Sequence, residues 1–244
     1  MHPYLEQIFS TQQFLNSKNE VVAVHSETSK DQCAFLQKII RDNKCKNSLE
    51  IGFANGISAL AIVEEVSKNG GRHFVIDKFQ KRDWHDNGID LLNIAGYKNE
   101  FDFSDKYCYE ILPELMFAGK KFDFAYIDST KQFDWLLVDF FYIDKILEKN
   151  GFIVFDDVVF SGIRKLLRYI AQFPDYKVYA QYPQNFENST QKKIFRLGKY
   201  LPFSEKWLKQ ELYLTDNEIG VNSWCVALQK TGEDSRHWDW HVDF

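Results

Sequence analysis

Leu49-Glu50-Ile51-Gly52-Phe53-Ala54-Asn55-Gly56-Ile57-Ser58 runs from an apolar strand through an acid into a loop with two glycines four apart, and a helical pattern follows. Gly52 and Gly56 permit a sharp turn and a close backbone approach to a ligand, while Glu50 at the strand end can accept hydrogen bonds. A dinucleotide fingerprint needs Gly-x-Gly-x-x-Gly to cradle a pyrophosphate, and this loop has no Gly-x-Gly pair. A phosphate-poor nucleoside ligand is favoured, with a purely structural tight turn as the competing explanation.

Arg72 to Asp77 is a second short apolar run ending in an acid, separated from the first by a helical stretch, Ile57 to Lys68. Together they make a β-α-β unit. An acid at the second strand tip is placed to bind the two hydroxyls of a ribose in the crevice beyond the strand ends. Two further runs end the same way: Phe122-Asp123-Phe124-Ala125-Tyr126-Ile127-Asp128 and Gly151-Phe152-Ile153-Val154-Phe155-Asp156-Asp157.

This succession of acid-tipped strands, with Glu50-x-Gly52-x-x-x-Gly56-x-Ser58 at its head, resembles a class I S-adenosylmethionine-dependent methyltransferase. Ile127 to Asp134, Val138-Asp139-Phe140-Phe141 and Phe155-Asp156-Asp157 are most similar to the small-molecule O-methyltransferase-like group. The resemblance spans about residues 25 to 181. It implies an α/β fold with a Rossmann-like seven-stranded, mostly parallel sheet, helices on both faces and the last strand antiparallel. It also implies S-adenosylmethionine as cofactor and a small-molecule acceptor, a sugar or secondary metabolite among the candidates.

The alternation of strands and helices supports the same architecture. Residues 3–16 and 29–42 carry helical spacing, with Ser29 or Thr28 as N-cap, and residues 1–46 are expected to form a helical cap. Residues 47–244 would then be the methyltransferase domain. Strands are expected near 100–103, 122–127, 152–155, 176–182 and 223–229, and helices near 110–117, 135–147 and 162–172. An insertion over 183–222 separates the last two strands. It interleaves Lys192, Lys193, Arg196 and Lys199 with Phe195, Tyr200 and Phe203, which reads as a solvated lid or dimer surface more simply than as a nucleic-acid patch.

Two hundred and forty-four residues, 45% hydrophobic and 27% charged, suffice for one good core. A net charge of −5 argues against nucleic acid as the main partner. Cys33, Cys45, Cys108 and Cys225 show neither metal-ligand spacing nor a disulfide framework, which fits buried thiols in a reducing compartment. No signal-peptide pattern and no run of roughly 20 apolar residues is present, so the expectation is a cytoplasmic protein without a membrane segment, with a small-molecule acceptor as partner and a homodimer as the candidate assembly.

The resemblance assigns the cofactor to the Gly52 to Gly56 loop, with Glu50, Asn55, Ser58 and Asp128 around it, Asp77 at the ribose and Ser29 in the covering segment. After the third strand the family places a Gly-Asp-small turn at the adenine; here Asp105-Lys106-Tyr107-Cys108 stands instead. Asp128, Asp156 and Asp157 end neighbouring strands and would repel one another without a counter-charge, which Mg²⁺ could supply. Metal-dependent catechol-type O-methyltransferases resemble this pattern, including a lysine three residues after the first acid, matched by Lys131. That likeness makes Asp128 and Lys131 the catalytic candidates, Lys131 as general base with its pKa pulled low.

Paired acids after a fifth strand also occur in methyltransferases that use no metal, and Lys131 could merely neutralise carboxylates. His25 and His85 are alternative bases or ordinary loop histidines. Three readings follow: a cation-assisted O-methyltransferase, a metal-independent N- or O-methyltransferase, and a cofactor-binding but catalytically idle regulatory or assembly protein.

Overall fold

The computed structural model describes residues 1–24, 28–183 and 215–242. The chain opens with α1 (Pro3–Thr11), a hairpin of β1 (Gln13–Leu15) and β2 (Val21–Ala23), and α2 (Lys30–Asn43). Then come β3 (Asn47–Ile51), α3 (Ile57–Lys68), β4 (Arg72–Ile76), α4 (Gln80–Trp84), α5 (Asn87–Ile94), β5 (Phe101–Ser104) and α6 (Cys108–Phe117). The second half carries β6 (Phe122–Ile127), α7 (Phe133–Ile146), β7 (Leu147–Phe155), α8 (Ser161–Ile170), β8 (Tyr176–Tyr182), α9 (Asp216–Ile219) and β9 (Cys225–Lys230).

Seven strands form one sheet in the order β5-β4-β3-β6-β7-β9-β8. Pairing from β5 through β7 is parallel, and β9 runs antiparallel to both β7 and β8. The α/β expectation holds. Strand order reverses between β3 and β6, and a crevice opens at the carboxyl ends of strands where such a reversal occurs. That reversal places Gly52 and Asp128 side by side: Asp128 N–H donates to the Ile51 carbonyl at 2.9 Å.

Strand side chains alternate between two buried layers, which explains their continuous apolar runs. Ala125 and Ile127 of β6 join Leu49, Ile51, Ile153 and Phe155 under residues of α6, α7 and α8. Phe124 and Tyr126 face the other way, with Phe152, Val154 and residues of α2 and α3. A third cluster joins α1, the hairpin, α3 and α5 through Leu5, Phe14, Leu60 and Leu91.

The helical reading of residues 3–16 is corrected beyond Thr11. Gln12 turns left-handed at φ 56° and the chain enters β1. Asn16 explains the return: its Oδ1 accepts from Lys18 and Glu20 N–H, both at 3.0 Å, closing a turn between the two strands. Residues 1–46 are therefore two helices and a hairpin rather than a purely helical cap. The polar stretch before α5 also holds α4, which sequence periodicity did not resolve. Most of the 183–222 insertion, with its basic and aromatic residues, lies outside the described residues, as does His25. No helix among the described residues is long and apolar enough to cross a membrane.

Candidate active site

The glycine loop leaves β3 under tight backbone constraint. Gly52 sits at φ +94°, and a Cβ there would lie 1.9 Å from the Asp128 carbonyl oxygen. Only glycine fits both conditions. Gly56 is also left-handed, but its close neighbour is Gly88 of α5, with Cα 3.0 Å from the position of a Cβ. It stands at the entry of α3, packed against α5, and does not line the cavity described below.

Asp77 holds the loop from the tip of β4. Its Oδ2 accepts from Phe53 and Ala54 N–H at 3.1 Å each, and its Oδ1 accepts from Phe79 N–H at 2.8 Å. Gly52 and Asp77 both line a cavity of about 300 Å³ that continues past Lys106, Tyr107 and Cys108 to Ser129 and Asp139. The first two assignments thus come together in one pocket.

Glu50 does not reach it. The residue is fully buried beneath the loop, where Ser58 Oγ donates to Oε1 and His73 Nε2 lies 2.8 Å from Oε2. The His73 ring continues to Ser48 Oγ at 2.8 Å. Glu50 and Ser58 therefore brace the strand and helix on either side of the turn. Asn55 is buried against Asn87, whose Nδ2 donates to its Oδ1 at 3.3 Å. Ser29 is the N-cap of α2, paired with Gln32 in a capping box, and does not line the cavity. His85 closes α4 in a left-handed cap.

Beside the cavity, Lys131 Nζ lies 3.0 Å from Asp128 Oδ1 and 2.7 Å from Asp157 Oδ2. All three side chains keep between 22 and 31% of their surface open, so a small molecule can reach them. Partial burial alone would lower the Lys131 ammonium, but Asp128 and Asp157 outweigh it and hold the group above its ordinary value. Asp128 is raised above the usual carboxylate range by burial first and then by Asp156, against the pull of Lys131. Where a lysine with lowered pKa was expected, the two carboxylates favour the ammonium form of Lys131 instead.

Asp156 belongs to a different environment. It is 4% exposed, and its carboxylate accepts from Tyr126 OH at 2.7 Å, Cys225 Sγ at 2.8 Å, Asp157 N–H at 2.8 Å and Gln32 Nε2 at 3.0 Å. These donors tie β6, β9 and α2 to the end of β7. A divalent cation needs open oxygen lone pairs. Here Asp156 has its oxygens engaged, and the Lys131 ammonium stands between the other two acids. Among the described residues no three side chains of ligating type are grouped to hold a metal ion. The Asp128, Asp156 and Asp157 set expected for Mg²⁺ does not fit as packed.

Sequence reading marked the stretch that holds Tyr107 but did not single out the other residues of the cavity's far wall, Phe79 and Trp135, with Asp139 behind them. Phe79 and Tyr107 meet edge to face at 5.9 Å, and Tyr107 lies 6.4 Å from Trp135 between ring centroids. Helical spacing does place Trp135 and Asp139 on one face of α7, four residues apart, but which way that face points is decided by packing.

Residues 49–158 match a family model described as a methyltransferase domain. The chain is similar to caffeoyl-CoA O-methyltransferase 1 of Eucalyptus globulus, 27% identical over 169 residues, covering 63% of this chain and 67% of the relative. Against caffeoyl-CoA O-methyltransferase 2 of Petunia hybrida it is 25% identical over 170 residues, covering 63% and 68%. The match thus spans about two thirds of these relatives. Among solved structures, an O-methyltransferase from Bacillus cereus in complex with SAH aligns with a TM-score of 0.57 at 23% identity, over 63% of this chain and 74% of that one. The O-methyltransferase TomG of Streptomyces achromogenes, solved with SAM, aligns at 0.56 and 21% identity over 63% and 73%. At these identities the structural likeness speaks for the fold.

Proposed function

We propose that this chain is a class I S-adenosylmethionine-dependent O-methyltransferase, a reading supported by the methyltransferase-domain match over residues 49–158 and the similarity to caffeoyl-CoA O-methyltransferases, and that it methylates a hydroxyl of a small molecule with Lys131 in place of a divalent cation. The observation that carries this reading is the Lys131 ammonium between Asp128 and Asp157, beside the cofactor loop. Similarity to caffeoyl-CoA O-methyltransferases supports a hydroxyl-bearing small molecule as the acceptor class.

When bound, S-adenosylmethionine supplies an electrophilic methyl group on its sulfonium. The Gly52 loop and Asp77 would hold it, Asp77 by the acceptor capacity left after its three backbone N–H bonds. Lys131 orients the acceptor oxygen and stabilises the negative charge that grows on it, a fixed positive charge being worth far more at a partly desolvated site than in water. Asp128, with its raised affinity for a proton, receives the hydroxyl hydrogen. Asp156 holds the floor of the site in register.

Calorimetric titration with S-adenosylmethionine and S-adenosylhomocysteine, with NAD as control, tests the cofactor part. Both sulfur nucleosides bind and NAD does not. Asp77→Ala weakens binding by about 10- to 100-fold, the scale of a hydrogen bond to a charged group. An unchanged affinity would remove Asp77 from the cofactor site. Turnover on an acceptor found by screening is unaffected by EDTA and by added Mg²⁺; loss of turnover with EDTA and its recovery with Mg²⁺ would restore the cation-assisted reading.

A further inference from the structure

The cavity beside Asp77 ends at a carboxyl group that the reaction outlined above does not use. Asp139, on the inner face of α7, is 3% exposed yet lines this cavity. Among the described residues its carboxyl has one partner, the Cys108 thiol of α6. A carboxyl so deeply buried without a cation or a backbone donor is costly to the fold in its charged form. Burial accordingly pushes it up to about 7, with Cys108 pulling weakly the other way. The charged groups that line the same cavity are Lys78 and Lys106 from the loops after β4 and β5, and Asp77. None of them forms an ion pair with Asp139.

The surroundings suit a flat heteroaromatic ring. Tyr107 and Trp135 stand on the cavity wall, and Asp105, the acid of the loop after β5, is exposed and does not line the cavity. Among the described residues the acid in position to meet the edge of a base is then Asp139, since Asp77 lies against the glycine loop. A neutral carboxyl has one O–H donor and one carbonyl acceptor side by side. Adenine presents the complementary pair on its Watson–Crick edge, an N1 acceptor beside the N6 amine donor.

We propose that Asp139 is the adenine-reading residue of the cofactor site, its neutral carboxyl donating to N1 and accepting from the N6 amine. The inference rests on the assignment of this pocket to S-adenosylmethionine. It makes α7, and not the loop after β5, the source of base recognition in this chain, and it makes affinity depend on pH. A carboxylate keeps the N6 contact but faces the N1 lone pair with a second lone pair. Affinity therefore falls as pH rises through the range where Asp139 ionises.

The test is the affinity of the full chain for S-adenosylhomocysteine at pH 6, 7.5 and 9, for the wild type, Asp139→Asn and Asp139→Ala, each checked by thermal unfolding. Asparagine has the donor and acceptor of the neutral acid, so Asp139→Asn binds as the wild type does at pH 6 and keeps that affinity at pH 9. The wild type weakens about tenfold over the same range, and Asp139→Ala binds about tenfold or more weakly at every pH. A purely structural acid would give an alanine variant with lowered thermal stability and unchanged affinity of the folded protein, which overturns the proposal. Parallel pH profiles for wild type and Asp139→Asn overturn it too. Failure of the wild type to bind S-adenosylhomocysteine at all would sink the cofactor assignment itself, a result distinguishable from wild-type binding that ignores Asp139.

Discussion

Lys131→Met lowers turnover by about 10²- to 10³-fold at saturating cofactor and acceptor, the cost of removing one preorganised charge from a developing oxyanion, while S-adenosylhomocysteine binds within about twofold of wild type. The asymmetry follows from position: Lys131 Nζ contacts Asp128 and Asp157 and is not among the residues that line the cavity beside Asp77, the proposed cofactor site. Steady-state kinetics beside a calorimetric titration reads both halves. Removing the ammonium leaves Asp128 and Asp157 without their counter-charge, so a fold control is needed, and Lys131→Arg supplies it. Arginine keeps the positive charge between the acids, and it restores stability with partial activity because its planar fork presents the charge differently from a compact ammonium. Full activity in Lys131→Met would reduce the lysine to a neutraliser of carboxylates.

Gly52→Ala damages both the fold and the proposed cofactor site. The substitution places a methyl group 1.9 Å from the Asp128 carbonyl oxygen and 2.8 Å from its carbon, in a backbone conformation at φ +94° that alanine resists. Left-handed strain and overpacking cost roughly 1–3 kcal/mol each. Together, for a domain of this size, they correspond to a melting temperature lowered by about 4–24 °C. Because β3 and β6 cannot both keep their ends in place, cofactor affinity falls along with stability. Gly96→Ala separates the two causes: Gly96 is equally left-handed at φ +93° but has nothing within 4 Å of a Cβ. It shows the backbone strain alone. Equal thermal shifts in the two variants would mean that the close approach of Gly52 to Asp128 does not exist in solution.

Sequence alone could place residues at one edge of the sheet where chain direction and position suffice. Gly52, Asp77 and Asp128 stand at the ends of parallel strands, and parallel strands joined by helices bring their carboxyl ends to one edge. It could not say which way Glu50 and Ser58 turn, because a residue at a strand end can point to either side of the sheet, and here Glu50 points to His73 and Ser58 beneath the loop. Nor could it tell Asp156 from Asp157, for a similar reason. Two adjacent acids, Asp156 and Asp157, look equivalent in sequence, but Asp157 is left-handed at φ 55° and turns toward Lys131, while Asp156 is taken up by donors from β6, β9 and α2.

Local sequence by itself determined the parallel α/β core, the Gly52 turn and the succession of acid-tipped strands, because strand periodicity, glycine conformation and βαβ handedness act over a few residues and tolerate few alternatives. Tertiary structure alone decided which acids meet which charges. Gln32 and Asp156 are 124 residues apart and hydrogen-bonded, and Asp139 reaches the cavity only because α7 packs with that face inward. Charge and protonation at a site depend on every group packed around it, and those groups converge from distant parts of the chain only after the fold has formed.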